Sequence, residues 1–465
     1  SKWGFFPSAS VAWRISDEPW MGWSRRALDN AKIRLSAGSM GNGNVSPYSY
    51  TSEMTVSTAD DIVLGGSYPS YTSVGSTVPV SLTWEKSTTY DVGLDLDFFN
   101  NRLSVSGDYY RRYTTDMYTA SVALPAVYGT GSPKGNNAEM KTDGWELSLS
   151  WRDSFKLGGK PFDYSIKAMV WDNRTVVTKY ENATRSLGTL KGYIQNGGSP
   201  SDFYEGMELG EMWGYTVAGL FRDQADIDSS ATHDFTQASD KVTRPGQVKI
   251  ADLDHNGNID PGAFTADDHG DLSIIGNINP HYMFGVNLAA NWNGIGLSVF
   301  LQGVMKRDWY PSPDSGYFWG KYARPFMWVL GIHNYTDDMY SKEKNNWDTA
   351  YWPRMTTYQS NSSYSWTKLL EIPNTRYKQN AAYLRVKNIQ VDYTFPKALC
   401  QKIRLGGLKI YLSGENLFTF TPLHKYAPNF DPEALGYDTD FSSTAGDGYT
   451  YPVLKSVTLG VNITF

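Results

Sequence analysis

Residues 88–116 read TTYDVGLDLDFFNNRLSVSGDYYRRYTTD, and their alternation decides the fold class. Val92, Leu94, Leu96 and Phe98 fall on one side of an extended chain and Asp91, Asp95 and Asp97 on the other. That is the period of two expected of a strand with unlike faces. Asn100 and Asn101 suit the left-handed backbone of a tight hairpin turn, after which Leu103, Val105 and Tyr109 resume the apolar side against Ser104, Ser106, Asp108 and Arg112. The same grammar recurs along the chain. Trp145, Leu147, Leu149 and Trp151 alternate with polar residues, and Phe162, Tyr164, Ile166, Ala168 and Val170 follow a Gly158-Gly159 turn. Tyr282, Phe284, Val286, Leu288 and Trp292 turn at Asn293-Gly294 and return as Ile295, Leu297, Val299 and Leu301. At the end, Val453, Lys455, Val457, Leu459, Val461, Ile463 and Phe465 share one face.

Half-buried strands of a soluble sandwich or propeller also alternate, so the pattern alone does not choose between water and lipid. Three features favour an all-β transmembrane antiparallel barrel. Tight turns alternate with long polar connections near 40–88, 117–142, 221–280, 307–381 and 421–452, as short periplasmic turns alternate with extracellular loops. Trp13, Trp151, Trp171 and Trp292 stand near the ends of apolar faces, where interfacial girdles belong. The chain also ends on an aromatic residue, Phe465, directly after an alternating strand. Only 19% of residues are charged while 15% are aromatic, and the mean hydropathy of -0.44 fits strands that show lipid every second side chain. No run approaches the 18 or more apolar residues of a spanning helix. The net charge of -6 gives no footprint for nucleic acid, and one cysteine, Cys400, excludes an internal disulfide framework. Cys400 falls in the predicted turn after Pro396 and reads as inert.

About thirteen strands are expected, centred near 3–15, 30–39, 89–99, 102–116, 143–153, 162–175, 188–200, 209–220, 281–292, 295–306, 382–395, 405–420 and 453–465. The whole of 1–465 reads as one barrel domain. An odd count cannot close a bacterial barrel without open edges, so further strands are expected upstream, and the chain reads as a fragment of a longer protein.

At these residues the chain resembles TonB-dependent outer-membrane transporters of the SusC/RagA type. The carrying segments are FFPSASVAWRISDE (5–18), LDNAKIRLSAGSMGNGN (28–44), residues 82–118, PGQVKIADLDHNGNID (245–260), IIGNINPHYMFGVNL (274–288), YLRVKNIQVDYTFP (383–396), LSGENLFTFT (412–421) and YPVLKSVTLGVNITF (451–465). The resemblance implies a 22-stranded barrel in the bacterial outer membrane, with the N-terminal plug, the first nine strands and the TonB box outside this chain. It implies a SusD-like surface lipoprotein as lid, energy from the TonB complex, outer-membrane lipid around the wall and Phe465 as the assembly signal.

Two constellations stand out. Asp252, Asp254, Asn256, Asn258 and Asp260 occupy positions 1, 3, 5, 7 and 9 of a calcium-type loop, with Gly257 at position 6 and Ile259 at 8. Position 12 is Ala263, so Asp271, ahead of Asp267 or Asp268, would have to return to complete a structural calcium site. The plain alternative is a polar turn without metal. The second is the ring-rich connection 307–381, where Trp309, Tyr310, Trp319, Trp352, Tyr358 and Trp366 are candidates to stack on a glycan or peptide. The alternative there is self-packing of the loop, or packing on the lipoprotein.

Catalysis finds little support. The six histidines form no HExxH pair, and neither a GxSxG elbow nor a GxxxxGK[ST] loop is present, so no cofactor is called for. Import of a large nutrient, an oligosaccharide ahead of a peptide, is the leading function. A secreted or surface β-protein that binds glycan without transport is the competing one.

Overall fold

The computed structural model describes residues 3–43, 51, 54–75, 82–120, 134–187, 203–233, 243–311, 318, 338–354, 373–435 and 453–465. In chain order the strands are β1 (Ser8–Arg14), β2 (Leu28–Asn42), β3 (Met54–Thr58), β4 (Ser70–Val74), β5 (Glu85–Phe98), β6 (Leu103–Ala120), β7 (Lys134–Leu157) and β8 (Lys160–Lys179). There follow β9 (Glu211–Tyr215), β10 (Val217–Leu220), β11 (Val248–Ile250), β12 (Leu272–Asn277), β13 (His281–Trp292), β14 (Ile295–Lys306), β15 (Asp308–Trp309) and β16 (Gln379–Asn380). The last three are β17 (Tyr383–Thr394), β18 (Gly407–Phe420) and β19 (Ser456–Thr464).

Eleven of these make one antiparallel sheet, ordered β1-β2-β5-β6-β7-β8-β13-β14-β17-β18-β19. Each neighbours its predecessor, so the topology is an up-and-down meander with β1 and β19 as its two edges. Among the described residues eleven of the expected thirteen strands pair in this sheet. Residues 188–200 lie outside the described residues, and 209–220 is divided between β9 and β10, which pair outside the main sheet with β12 and β11. From Glu211 to Gly214 half-buried and buried residues alternate, and Met212 and Tyr215 both enter a loop core, so this short strand is buried by protein and not by lipid. With eleven antiparallel strands, the first and last strands of the sheet run in the same direction.

The chain passes through 15–27, 99–102, 158–159, 293–294 and 395–406 at one end of the sheet, and leaves β2, β6, β8, β14 and β18 at the other. Asn100 and Asn101 have φ of 58° each and Gly294 a φ of 86°, the left-handed backbone that the tight turns require.

Register converts the alternation into two unlike surfaces. Phe98, Leu103, Trp151, Ile166, Leu288, Val299 and Ile389 are successive cross-strand partners, a continuous apolar row over seven strands. One residue away, Asn30, Asp97, Ser104, Ser150, Lys167 and Asn287 form an equally continuous polar row. On the apolar face Val92, Leu94, Leu149, Leu412, Val457, Leu459, Val461 and Ile463 are exposed, Leu459 at 72%. Among the described residues no second protein layer covers them. A soluble protein does not leave so wide an apolar face in water.

The main hydrophobic core lies beyond the wall, in the long connections. Met212, Tyr215, Leu220, Val248, Ile250, Leu272, Trp309, Phe318, Trp352, Tyr377, Leu423 and Phe430 pack together from the segments after β8, β14 and β18. The loops at that end are therefore a folded cap, and not independent tethers.

Candidate functional site

The polar face of the sheet carries a charge network set by register. Arg34 on β2 reaches Asp95 on β5 (Nε to Oδ2, 2.9 Å) and Asp108 on β6 (Nη1 to Oδ1, 2.8 Å). Ser106 donates to Asp95 at 2.8 Å, and Lys32 lies 3.6 Å from the same carboxylate. Gly93, between them, makes the room: a Cβ there would come within 2.6 Å of the guanidinium carbon of Arg34. Nearer the tight-turn end, the same face holds a groove of about 550 Å³ lined by Arg102, Arg152, Asp153, Ser154, Asp163 and Asn291 among others. Water-facing charge of this density suits the inside of a pore.

The cap is fastened to the wall by buried cations. Arg385 on β17, 3% exposed, pairs with Asp431 and with Glu433 (2.6 Å), and Lys387 reaches Glu433 at 2.7 Å. Arg307, just past β14 and also 3% exposed, donates to the carbonyls of Ile278 (3.2 Å), Pro432 (3.0 Å) and Leu435 (3.1 Å). Burial of a guanidinium is tolerated only when its donors are this fully used. Segment 422–435 is thereby drawn down against the strand tops. Sequence reasoning passed over both arginines, because a lone arginine near a strand end carries no pattern; the acidic Asp431 and Glu433, distant in sequence, were its only trace.

Of the ring candidates, the structure places Trp309, Tyr310 and Trp352 inside the cap, at 4%, 3% and 1% exposure. Trp352 stacks on Tyr377 at 5.6 Å and 18°, with Phe318 edge-on at 5.3 Å, and Trp309 meets Phe430 at 4.9 Å. The Tyr310 hydroxyl accepts from Asn374 at 2.7 Å. These rings are spent on the cap's own packing, as the self-packing alternative has it, and offer no open face to a ligand. Trp319, Tyr358 and Trp366 lie outside the described residues.

The loop at 252–271 is closed in the manner the sequence required. Asp271, 0% exposed, returns beside Asp252 and Asp254, with one carboxylate oxygen of each within 4.8 Å of the others. Asp271 accepts from the backbone of Leu253 (2.6 Å) and Asp260 (2.9 Å), and Asp252 accepts from Gly257 (3.0 Å). Gly257 has a φ of 83°, which lets the loop double back. Asn256 donates to Asp254 (3.0 Å) and Asp260 (3.1 Å), and Asn258 is exposed. The second oxygen pattern is incomplete: Asp252 Oδ1 is buried with no hydrogen-bond partner. Burial raises the Asp271 carboxyl above its ordinary range; the two backbone donors oppose this and the charges of Asp254 and Asp252 add to it. Asp267 pairs with Arg185 instead, and Asp268 does not join the three. Oxygen-only donors around a buried, unmatched oxygen fit a hard cation. Cys400 is buried in the short helix Lys397–Lys402.

A meandering sheet with a bare apolar face, a charged inner face, tight turns at one end and a folded cap at the other defines an outer-membrane β-barrel protein. The family model of the TonB dependent receptor-like β-barrel matches residues 1–265, and the chain belongs to that family of outer-membrane receptors. TonB-dependent receptor P3 of Formosa agariphila is 26% identical over 476 residues, covering 100% of this chain and 42% of that protein. TonB-dependent receptor SusC of Bacteroides thetaiotaomicron is 24% identical over 481 residues, covering 100% and 40%. The RagAB peptide importer in its open-open state superposes with a TM-score of 0.69 at 21% identity, over 99% of this chain and 42% of that one. The chain thus spans about two fifths of the length of these relatives.

Proposed function

We propose that this chain forms wall and outer cap of an importer that carries large polar nutrients across the outer membrane. The reading is supported by one observation above all: a sheet wide enough for eleven strands presents hydrocarbon-compatible rows outward and charged rows inward. In this reading a SusD-like surface lipoprotein closes over the cap, and the TonB complex supplies energy through residues outside this chain. An oligosaccharide is the first ligand to test and a peptide the second. The experiment is uptake of labelled oligosaccharides and peptides by cells carrying the full-length gene, its deletion, and a version without TonB coupling. Loss of uptake in the last two supports import; retention in both overturns it, and the pool that is lost names the substrate class.

We propose also that the loop 252–271 holds a structural calcium ion, with Asp252, Asp254 and Asp271 as carboxylate ligands and Asn256, Asn258 and Asp260 completing the shell directly or through water. Its support is the buried, unpartnered Asp252 Oδ1. The ion would fix the end of β11 to the start of β12 and so stiffen the cap.

A further inference from the structure

The connection 15–27 differs from the other tight-turn-end connections. It consists of two 3-10 helices, Ile15–Asp17 and Pro19–Arg26, packed against β2. β1 stops early: Arg14 pairs with Lys32, whereas β2 continues down to Leu28, the partner of Phe98. The 3-10 helices therefore occupy the level at which the neighbouring strands carry Phe98, Phe99 and Trp151, whose rings touch at 6.0 Å and 6.4 Å. That aromatic belt continues around the same end through Phe155, Phe162 and Tyr164.

The side on which the segment lies is fixed by Trp13. Val11 and Trp13 partner Leu35 and Ile33, which puts them on the apolar outer face. The Trp13 indole donates to Glu18 at 2.9 Å, and its ring meets Trp20 at 6.3 Å. Trp20 is thus held outside the wall. Trp20 and Trp23 are 57% and 78% exposed, while Ser24 is buried and bonds back to Met21, so the segment turns its polar side inward and its rings outward. Rings with a polar edge prefer the headgroup level.

We infer that residues 15–27 form an interfacial foot, which seats Trp20 and Trp23 in the headgroup layer of the periplasmic leaflet and continues the lipid-facing surface below the shortened β1. The inference rests on placement in the outer membrane and is independent of import. The test is a nitroxide at Trp23→Cys in the full-length protein, reconstituted in phosphatidylethanolamine/phosphatidylglycerol bilayers, with Lys156→Cys, exposed on the polar inner face near the β7–β8 turn, as the aqueous reference; Cys400 is buried and does not compete for label. Collisions with oxygen should exceed those with a water-soluble nickel chelate at position 23 and fall below them at position 156. Equal behaviour at the two positions overturns the inference, as does protection from both reagents with spin-spin broadening, which would show a second copy on this face. A Trp20→Phe/Trp23→Phe variant gives an independent readout. The emission it loses should be blue-shifted and quenched by brominated acyl chains, whereas quenching by aqueous iodide argues against the foot.

Discussion

Asp252 and Asp271 bring carboxylate oxygens within 4.8 Å of each other although a whole loop separates them, and Asp271 is fully buried there. The charges acting on Asp271 are those of Asp254 and Asp252, both of its own sign. Two carboxylates at such a distance in a dry site repel unless a proton or a cation lies between them. The backbone donors of Leu253 and Asp260 relieve only part of that.

Calcium should therefore stabilise the cap, and the sign with pH follows. A carboxyl whose folded pKa is raised contributes stability below its unfolded value, near 3.9, and loses it as pH rises through the folded value. Without metal the loop is strained at neutral pH and relaxed in acid. Calcium should protect the amides of β11 and β12 from hydrogen exchange at pH 7, with the gain vanishing toward pH 4 as protons displace the ion. Asp271→Asn should abolish the calcium-dependent gain and also lower apo protection somewhat, because an amide keeps one acceptor oxygen and cannot accept from both Leu253 and Asp260.

The sequence announced the wall because barrel strands impose a strict period of two, which any reader of Leu94, Asp95, Leu96 and Asp97 can see. It pointed to Asp271 through a gap, because position 12 of the calcium-type loop is Ala263 and only a later carboxylate could complete the pattern. It misled at 209–220 because burial in a protein core and burial in lipid leave the same alternation in a short strand. It stayed silent on Arg385 and Arg307, whose partners Asp431, Glu433 and Pro432 come from another loop. Trp309 and Trp352 looked like binding rings because composition reports how many rings a loop holds, and only packing reports where their faces point.

The two faces of β19 should respond oppositely to charge. Leu459 partners Leu412 on the outer face, and Thr458 partners Ser413 on the inner one. Leu459→Arg should cost about 2–4 kcal/mol of folding free energy near the bilayer midplane. Thr458→Arg should cost far less, because water solvates it. Denaturant titration of the full-length protein in lipid vesicles, scored by heat-modifiable migration, compares the two; equal penalties would contradict the orientation of the sheet.

Gly93→Ala tests the wall's charge network through space alone. The added methyl meets Asp108 Oδ1 and the guanidinium of Arg34, the latter at 2.6 Å, and must shift one of these side-chain ends out of the Arg34–Asp108 pair. The expected result is a folded barrel with lower resistance to denaturant, by about 1–3 kcal/mol as for other overpacked sites. The loss should be smaller on an Arg34→Ala/Asp108→Ala background than on the parent, since both side chains that contest the space are then gone. An equal loss on the two backgrounds would show that backbone distortion, and not the side-chain clash, is the cause.

His233 gives the cap a second, opposite dependence on acid. Its ring lies against Phe221 at 4.9 Å, Nδ1 is 2.9 Å from the Ala231 carbonyl, and Nε2 accepts from the backbone of Ile250 at 2.9 Å. An imidazole that donates through Nδ1 and accepts through Nε2 is neutral. Burial lowers its pKa first, the Ala231 carbonyl opposes this, and the charge of Lys249 lowers it further. A histidine with a depressed folded pKa contributes stability above the unfolded value, near 6.5, and loses it as pH falls through the folded value. Protonation places an N–H against the N–H of Ile250, breaking the contact that ties His233 to β11. Between pH 7 and pH 5 the amides of β10 and β11 should lose protection once intrinsic exchange rates are corrected, by at most a factor of about ten per pH unit. His233→Gln keeps a donor and an acceptor but cannot titrate, so its protection should be flat across this range. A parallel decline in that variant would move the acid sensitivity to another group. Because the Asp271 loop is relieved by acid and the His233 contact is broken by it, the two variants should shift the pH profile of one β11–β12 module in opposite directions.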